Sequence, residues 1–283
     1  MSVLITGGSG FIGSALAYKL KALGHTVFIY SHQNLDTLNK TYPQLTQNFA
    51  FIFKDTKDFP KVDAIVNLGG ESISTQRLTQ KRLNDILHSR LDLIELLKTK
   101  YQENLPKVFI QASATNIYDD GLDITEDTPL DKTFIQNSPL AKICSQVEAK
   151  VLSIKSDSTR VVLCRFSTVI GKNGGICNVL KYLPRPYFLD GNNYLPYIKV
   201  DTAVNALIYC LENSKIQGAV NMVDCNFNTL NEVLSLAYEK LPLKNFPIPW
   251  LKSLVALDRR GALMTVNQRI APQKLLENGF KFK

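Results

Sequence analysis

Apolar and polar positions switch between two periods along the first half of the chain. Residues 3–6 form a short apolar run that predicts a strand. Ile12, Leu16, Leu20 and Leu23 then recur at helical spacing, which predicts a helix over 11–23 closed by Gly24. Apolar runs of strand length follow at 26–30, 50–53, 64–66, 108–112 and 161–165. Between them, the polar stretch 31–48 predicts a short helix, 80–101 a long one and 140–152 another. Strands alternating with helices in this way predict an α/β fold, a doubly wound parallel sheet with helices on both faces.

The pattern changes after Phe166. Residues 171–175 read as a glycine loop, and Leu183-Pro184-Arg185-Pro186 excludes a long regular element, because proline lacks a donor and fixes φ. Helical spacing returns over 200–211, with Asp201 or Thr202 as the expected N-cap. A short strand over 219–223, a helix over 230–240 and a proline-rich connection over 242–249 complete the chain before its tail. We expect a dinucleotide-binding domain over 1–170, to which 198–223 return. A smaller α/β substrate lobe would be built from 171–197 and 224–283.

Composition narrows the class. With 283 residues, 45% of them hydrophobic, the chain has enough apolar material for a large core. It contains no apolar run of about 18 residues, so no membrane span and no membrane partner are expected. A strand begins within three residues of the start, so no signal peptide is expected. Cys144, Cys164, Cys177, Cys210 and Cys225 are scattered, and no histidine cluster accompanies them. That pattern implies reduced thiols in a cytoplasmic protein and no metal site. The net charge of +8 comes from lysines spread along the chain, without a block of like charge. It reads as a solvated surface that would attract a phosphate-rich cofactor, not as a nucleic-acid face. The expected partner is a small-molecule substrate, and the expected state a monomer or homodimer.

The chemistry begins at Leu4-Ile5-Thr6-Gly7-Gly8-Ser9-Gly10-Phe11-Ile12-Gly13. A strand runs into glycines spaced Gly7-xx-Gly10-xx-Gly13, and an amphipathic helix follows. Gly7 permits the tight turn, Gly10 lets backbone approach a pyrophosphate, and Gly13 lets the helix pack closely on the sheet. Thr6, Gly7, Gly10, Phe11, Ile12 and Gly13 are therefore the expected phosphate cradle of a Rossmann domain. The second strand ends in Ile29-Tyr30-Ser31-His32 without a carboxylate. An acid there would hold ribose hydroxyls and repel a 2′-phosphate, so its absence favours NADP over NAD. Ser31 and His32 are the candidate phosphate contacts, with Lys40 within reach and Asp55 a candidate for the adenine end. Arg77, Arg90 and Arg165 are candidates to grip a phosphate or carboxylate, or to form ion pairs.

Thr6-Gly7-x-x-Gly10-x-x-Gly13 resembles the extended short-chain dehydrogenase/reductase superfamily, and Asn67-Leu68-Gly69-Gly70 looks like the motif that lines its cofactor after strand four. The resemblance makes Asn67, Leu68, Gly69, Gly70 and Arg90 cofactor-site candidates. It also implies a catalytic Ser, a Tyr that moves the proton, and a Lys four residues later that lowers the phenol pKa. Ser113 matches the serine, which also lies beside the cofactor. Counting onward gives Ser138 where the tyrosine should be and Lys142 as the lysine. A serine hydroxyl cannot replace a phenol, so Lys142 or Tyr118 is left as the proton-handling candidate, Tyr118 also having a structural reading. The acidic loop Asp119, Asp120, Asp123, Glu126 and Asp127 lies beside the site or forms a solvated face.

Several stretches together narrow the likeness: residues 63–73, Arg77-Leu78-Thr79, Ser89-Arg90, Ser113-Ala114-Thr115-Asn116-Ile117-Tyr118, Gly174-Gly175-Ile176, 218–223 and 268–280. They resemble the atypical epimerase family proteins, a branch with a C-terminal domain of unknown function that generally departs from the Tyr-xxx-Lys pattern. The chain departs from that branch at Leu78 and over 189–199, both on the substrate side. The resemblance implies an NAD(P)(H)-binding epimerase/dehydratase-like oxidoreductase acting on a small hydroxyl or carbonyl compound, such as a nucleotide sugar. The alternative is a non-catalytic dinucleotide-binding sensor or partner-binding protein that has lost the catalytic tyrosine.

Overall fold

The computed structural model describes residues 1–73, 76–172, 174–181, 186–239, 241, 248–250 and 262–282. Residues 183–185 of the Leu183–Pro186 segment and residues 242–247 of the proline-rich connection lie outside them.

The chain opens with β1 (Ser2–Thr6), α1 (Phe11–Ala22) and β2 (Thr26–Ser31). The polar stretch after β2 folds into two short helices, α2 (Leu35–Thr41) and α3 (Pro43–Asn48). Proline at the first position of α3 forces the break between them. Then come β3 (Ala50–Phe53), β4 (Ala64–Asn67), α4 (Gln80–Tyr101) and β5 (Val108–Ala114). Strand β6 (Gly121–Ile124), α5 (Lys132–Asn137), α6 (Pro139–Leu152) and β7 (Arg160–Phe166) follow.

Seven parallel strands form the main sheet in the order β12-β7-β5-β4-β1-β2-β3, where β12 is Gly218–Met222. The order reverses between β1 and β4. In doubly wound sheets the crevice above such a reversal, at the carboxyl ends of the strands, is where ligands bind. Side chains alternate between two cores, as the period of 2 requires. Val3, Ile5, Ala64, Val66, Val108, Ile110, Val162 and Cys164 face one core. Leu4, Ile65, Phe109, Val161 and Leu163 face the other, with residues of α4 and α6. Strands buried on both faces read as continuous apolar runs, which is why they were visible in the sequence.

After β7 the structure adds short elements that the apolar pattern does not announce. A hairpin of β8 (Thr168–Gly171) and β9 (Gly174–Gly175) replaces the expected loop, and β8 also pairs with β11 (Tyr197–Lys199). The intervening α7 (Cys177–Leu180) and β10 (Pro186–Phe188) lie beside them in sequence. Helix α8 (Val200–Glu212) packs with α1 on the first core. Its N-cap is Lys199, not Asp201 or Thr202, because β11 runs directly into the helix and Asp201 falls in its first turn. Helix α9 (Leu230–Tyr238) starts on a Thr229–Glu232 capping box and covers a third core with Cys177, Phe188, Leu195 and Tyr197. Strand β13 (Ile248–Trp250) pairs with β10, and β14 (Gln268–Ile270) returns to pair with β6. No helix among the described residues is long and apolar enough to cross a membrane.

Candidate functional site

The turn after β1 leaves a helix end open. Gly7 has φ +66°, and its carbonyl accepts from the Gly10 N–H at 2.9 Å. A Cβ on Gly13 would lie 2.2 Å from the Gly7 oxygen, so any side chain there forces α1 off the loop. A Cβ on Gly10 would meet only that same oxygen, at 3.0 Å, and otherwise open space. Helix α1 starts at Gly10 with no side-chain cap and no acid in its first turn. By contrast, α4, α6 and α9 are capped by Thr79, Ser138 and Thr229, and α8 carries Asp201 in its first turn. Unpaired N–H groups and the positive end of the helix dipole therefore point out of α1 uncompensated, which suits a phosphate. The Phe11 ring is clasped by the β8–β9 hairpin, where a Cβ on Gly174 would lie 2.2 Å from its Cγ. Ile12 and Leu68 pack against the adjoining core.

Two rows of polar side chains cross the carboxyl ends of the strands, all on the face toward α4 and α6. Strand register sets Thr6 opposite Asn67 and Asn67 opposite Gln111. Thr6 Oγ1 donates to Asn67 Oδ1 (2.5 Å), Asn67 Nδ2 to Gln111 Oε1 (2.7 Å), and Gln111 Nε2 to the Ala112 carbonyl (2.9 Å). The Gly69 N–H donates back to Thr6 Oγ1 at 3.0 Å, so this row shapes the loop after β4. Arg90 lies flat against Gly70, whose φ is +149°, and its Nη1 donates to the Ile86 and Glu71 carbonyls. Arg82 donates to the Glu71 carboxylate and the Ser72 carbonyl. The first half of α4 thereby staples the segment 70–72.

The second row sets Ser113 opposite Arg165 and Arg165 opposite Asn221. It is joined by Glu148, which α6 presents one turn after Cys144. Ser113 Oγ donates to Glu148 Oε1 at 2.7 Å, and Arg165 donates through Nε and Nη2 to the two oxygens of the same carboxylate at 2.9 and 2.8 Å. Both members of this ion pair are 5% exposed. Arg165 Nη1 donates to the Tyr118 hydroxyl (2.6 Å), which donates to Asn221 Oδ1 (2.9 Å). Burial opposes the Arg165 charge, but the bonds and charge of Glu148 outweigh it and hold the guanidinium pKa above its ordinary value. Burial raises the Tyr118 phenol against the opposing pull of Arg165. Tyr118 is 2% exposed, with its proton and one lone pair committed. Cys144 is half-buried against Ser113 and Ala114, and burial pushes its thiol up to about 11, so it is not a thiolate at neutral pH.

The other sequence-predicted residues are placed as follows. Ser138 caps α6, its Oγ accepting from the Ala141 N–H at 3.4 Å. Lys142 is exposed and lies two residues, about 200°, around the helix from Cys144, away from the face that meets Ser113. Ser31 is buried at the end of β2, with its Oγ accepting from the Gln33 N–H, and His32 is exposed. Arg77 and Asp55 are exposed. The acidic loop ties down the chain's tail: Asp120 accepts from the Asn267 N–H, Asp123 pairs with Arg269, and Glu126 accepts from the N–H groups of Asn221 and Lys274. No group of three or more His, Cys, Asp or Glu that could hold a metal ion exists among the described residues.

Several residues of the site escaped the sequence reading, Gln111 of the first row among them. Glu148 carried a signal, since it falls on the buried stripe of α6 with Val147 and Val151, where an acid needs a partner. Asn221 carried only its place in the resembling stretch 218–223. Gln33 is another: its Oε1 is buried at the end of β2 without a hydrogen bond.

Comparisons with known proteins bear on the family and the fold. The model of the NAD dependent epimerase/dehydratase family matches residues 3–222. Epimerase family protein YfhF of Bacillus subtilis (strain 168) is 30% identical over 297 residues, covering 100% of this chain and 94% of that protein. Epimerase family protein SDR39U1 of Bos taurus is 29% identical over 300 residues, covering 100% and 95%. The crystal structure of human epimerase family protein SDR39U1 (isoform 2) with NADPH has the same fold, with a TM-score of 0.83 at 24% identity over 100% of this chain and 95% of that one. UDP-glucuronic acid 4-epimerase from Bacillus cereus in complex with NAD superposes with a TM-score of 0.68 at 19% identity, covering 89% and 88%.

Proposed function

The chain belongs to the NAD dependent epimerase/dehydratase family, and from that premise we propose an NADP(H)-dependent, epimerase-type oxidoreductase acting on a small hydroxyl or carbonyl compound such as a nucleotide sugar. The observation that carries this reading is the alignment, on the adjacent strands β1, β4 and β5, of the open α1 end, the loop after Asn67 and the Ser113 hydroxyl. Residues 10–13 would hold the diphosphate on backbone N–H groups. Arg90 against Gly70 would line the next part of the groove. Ser113 would orient the substrate oxygen. When bound, the nicotinamide gives or takes the hydride.

NADP is favoured over NAD because β2 ends without a carboxylate. Ser31, His32 and the Gln33 amide offer hydrogen-bonding groups to a 2′-phosphate, and turning that amide over would bring N–H donors to the unpaired position. The NADPH in the human SDR39U1 structure supports the same choice.

A second reading, a dinucleotide-binding sensor without turnover, is favoured by one observation. Tyr118 is fully engaged with Arg165 and Asn221, and Ser138, whose oxygen caps α6, brings no phenol to move a proton at Ser113. The deciding experiment titrates purified protein with NADPH and NADH, then assays turnover with a panel of carbonyl compounds and nucleotide sugars. NADPH binding tighter than NADH binding, together with turnover, is the expected result. Tight NADPH binding without turnover moves the assignment to the sensor. Binding of neither dinucleotide overturns both.

A further inference from the structure

Hydrogen-bond accounting along the second polar row fixes the direction of every bond in it. Arg165 has only donors, and it spends Nε and Nη2 on Glu148 and Nη1 on Tyr118. Tyr118, having accepted from Arg165, donates to Asn221 Oδ1, and Asn221 Nδ2 donates to the Ala271 carbonyl. As the ion-pair partner of Arg165, the Glu148 carboxylate has only acceptors. The 2.7 Å contact between Ser113 and Glu148 therefore consumes the one proton that the Ser113 hydroxyl owns. Ser113 is the half-buried end of the row, whereas Glu148, Arg165, Tyr118 and Asn221 are buried. Cys144 also hydrogen-bonds Ser113, and with the serine proton held by Glu148 its S–H is the donor, so what Ser113 offers a ligand is its remaining lone pair.

We propose that Glu148 is a positioning residue that makes Ser113 an acceptor only, so that the ligand recognised there bears a hydrogen-bond donor, a hydroxyl group, in preference to a bare carbonyl. This rests on the reading of Ser113 as the residue that meets the substrate, and it adds which oxidation level that residue prefers. A carbonyl oxygen at Ser113 would face lone pairs and lose its hydrogen bonds to water without replacement, whereas an alcohol completes the row. One mismatched hydrogen bond of this kind is worth at least about tenfold in affinity. The buried ion pair by itself would also be explained as a strut between α6 and β7. The oxidation-level preference is what a strut alone does not produce.

The test uses the full chain saturated with 2′-phospho-ADP-ribose, which carries no nicotinamide and permits no hydride transfer. Ligand-observed NMR and calorimetry then measure two matched pairs, cyclohexanol with cyclohexanone and UDP-6-deoxyglucose with UDP-4-keto-6-deoxyglucose. The expected result is at least about tenfold tighter binding of the alcohol in a pair. Ser113→Ala should lower alcohol affinity to the ketone level and leave the ketone unchanged. Glu148→Gln should shrink the preference, and should it not fold, Ser113→Ala carries the test. Equal affinities, a ketone preference, no binding of any member, or a preference that survives Ser113→Ala overturns the proposal. Turnover is assayed separately with NADP⁺. An alcohol preference without turnover sinks the oxidoreductase reading and leaves the polarity of Ser113 standing.

Discussion

Helices α1 and α6 make opposite use of their first turns. Helix α1 begins at Gly10 with no cap, no acid and an open approach. Helix α6 begins at Ser138, which closes its own first turn, with Pro139 at a position that needs no donor. The first end keeps its hydrogen-bonding capacity for something outside the chain, and the second satisfies it internally. The short-chain dehydrogenase/reductase resemblance implies a catalytic tyrosine at the start of the latter helix, where Ser138 stands. The polar chemistry of α6 lies farther in, at a carboxylate one helical turn beyond Cys144 that holds Ser113 and Arg165. The half proposed to bind the cofactor, the binding half, is thus built from unsatisfied backbone, and the other half from side chains that satisfy each other.

That contrast predicts which half breaks the fold and which breaks only binding. The largest effect should come from Glu148→Ala. It leaves Arg165 charged and unpaired in a buried position, a loss of about 3–5 kcal/mol, or roughly 10 °C in melting temperature for a chain of this size. Thermal unfolding checks it, and a drop of only a degree or two would show that the pair is not holding α6 to β7. Gly10→Val should do the reverse. The added side chain meets open space beside the Gly7 oxygen, so the melting temperature should hold, while NADPH affinity falls by about 100-fold, near 2.7 kcal/mol. An unchanged affinity in fluorescence titration would mean that the cofactor does not use the α1 end.

Much of the binding half was legible because its signals are local. The strand, the spaced glycines and the helix follow one another within the first 22 residues, and Gly10 and Gly13 are hemmed in by the Gly7 carbonyl a few positions away, although a Cβ on Gly7 would itself meet Leu68 across the sheet. The central strands and the long helix from Gln80 to Tyr101 were also readable, since burial on both faces leaves unbroken apolar runs and burial on one face leaves a helical stripe. The other half depends on partners far apart in sequence. Glu148 meets Ser113 across 35 positions, and Tyr118 meets Asn221 across 103. Strands of three residues such as β11 and β14 exist only because a distant strand pairs with them. No periodicity announces such contacts. The tail's docking on Asp120, Asp123 and Glu126 was hidden for the same reason, although Asp120 and Asp123 are exposed, as the solvated-face reading expected.

Smaller changes sharpen the contrast. Ser31→Asp restores the carboxylate that β2 lacks. It should weaken NADPH by about tenfold or more, near 1.4 kcal/mol, and leave NADH untouched or improved. Paired titrations with the two cofactors check it, and equal losses for both would locate the 2′-phosphate elsewhere. Ser138→Ala removes the cap of α6 and should cost about 1 kcal/mol of stability without changing NADPH affinity.

Lys142→Ala should do least of all. The residue lies on the exposed stripe of α6 with Gln146 and Ala149, while Cys144 and Glu148 occupy the face toward β5. A lysine on that stripe touches neither the open end of α1 nor the Ser113 row, so melting temperature and NADPH affinity should match the parent within about 0.5 kcal/mol. Any turnover found with a hydroxyl or carbonyl substrate should also survive. If turnover instead collapses while binding and stability hold, the lysine swings over the groove when ligand is present. The α6 side of the site would then be catalytic machinery after all, assembled on binding, and not the self-satisfied structure that its hydrogen bonds describe.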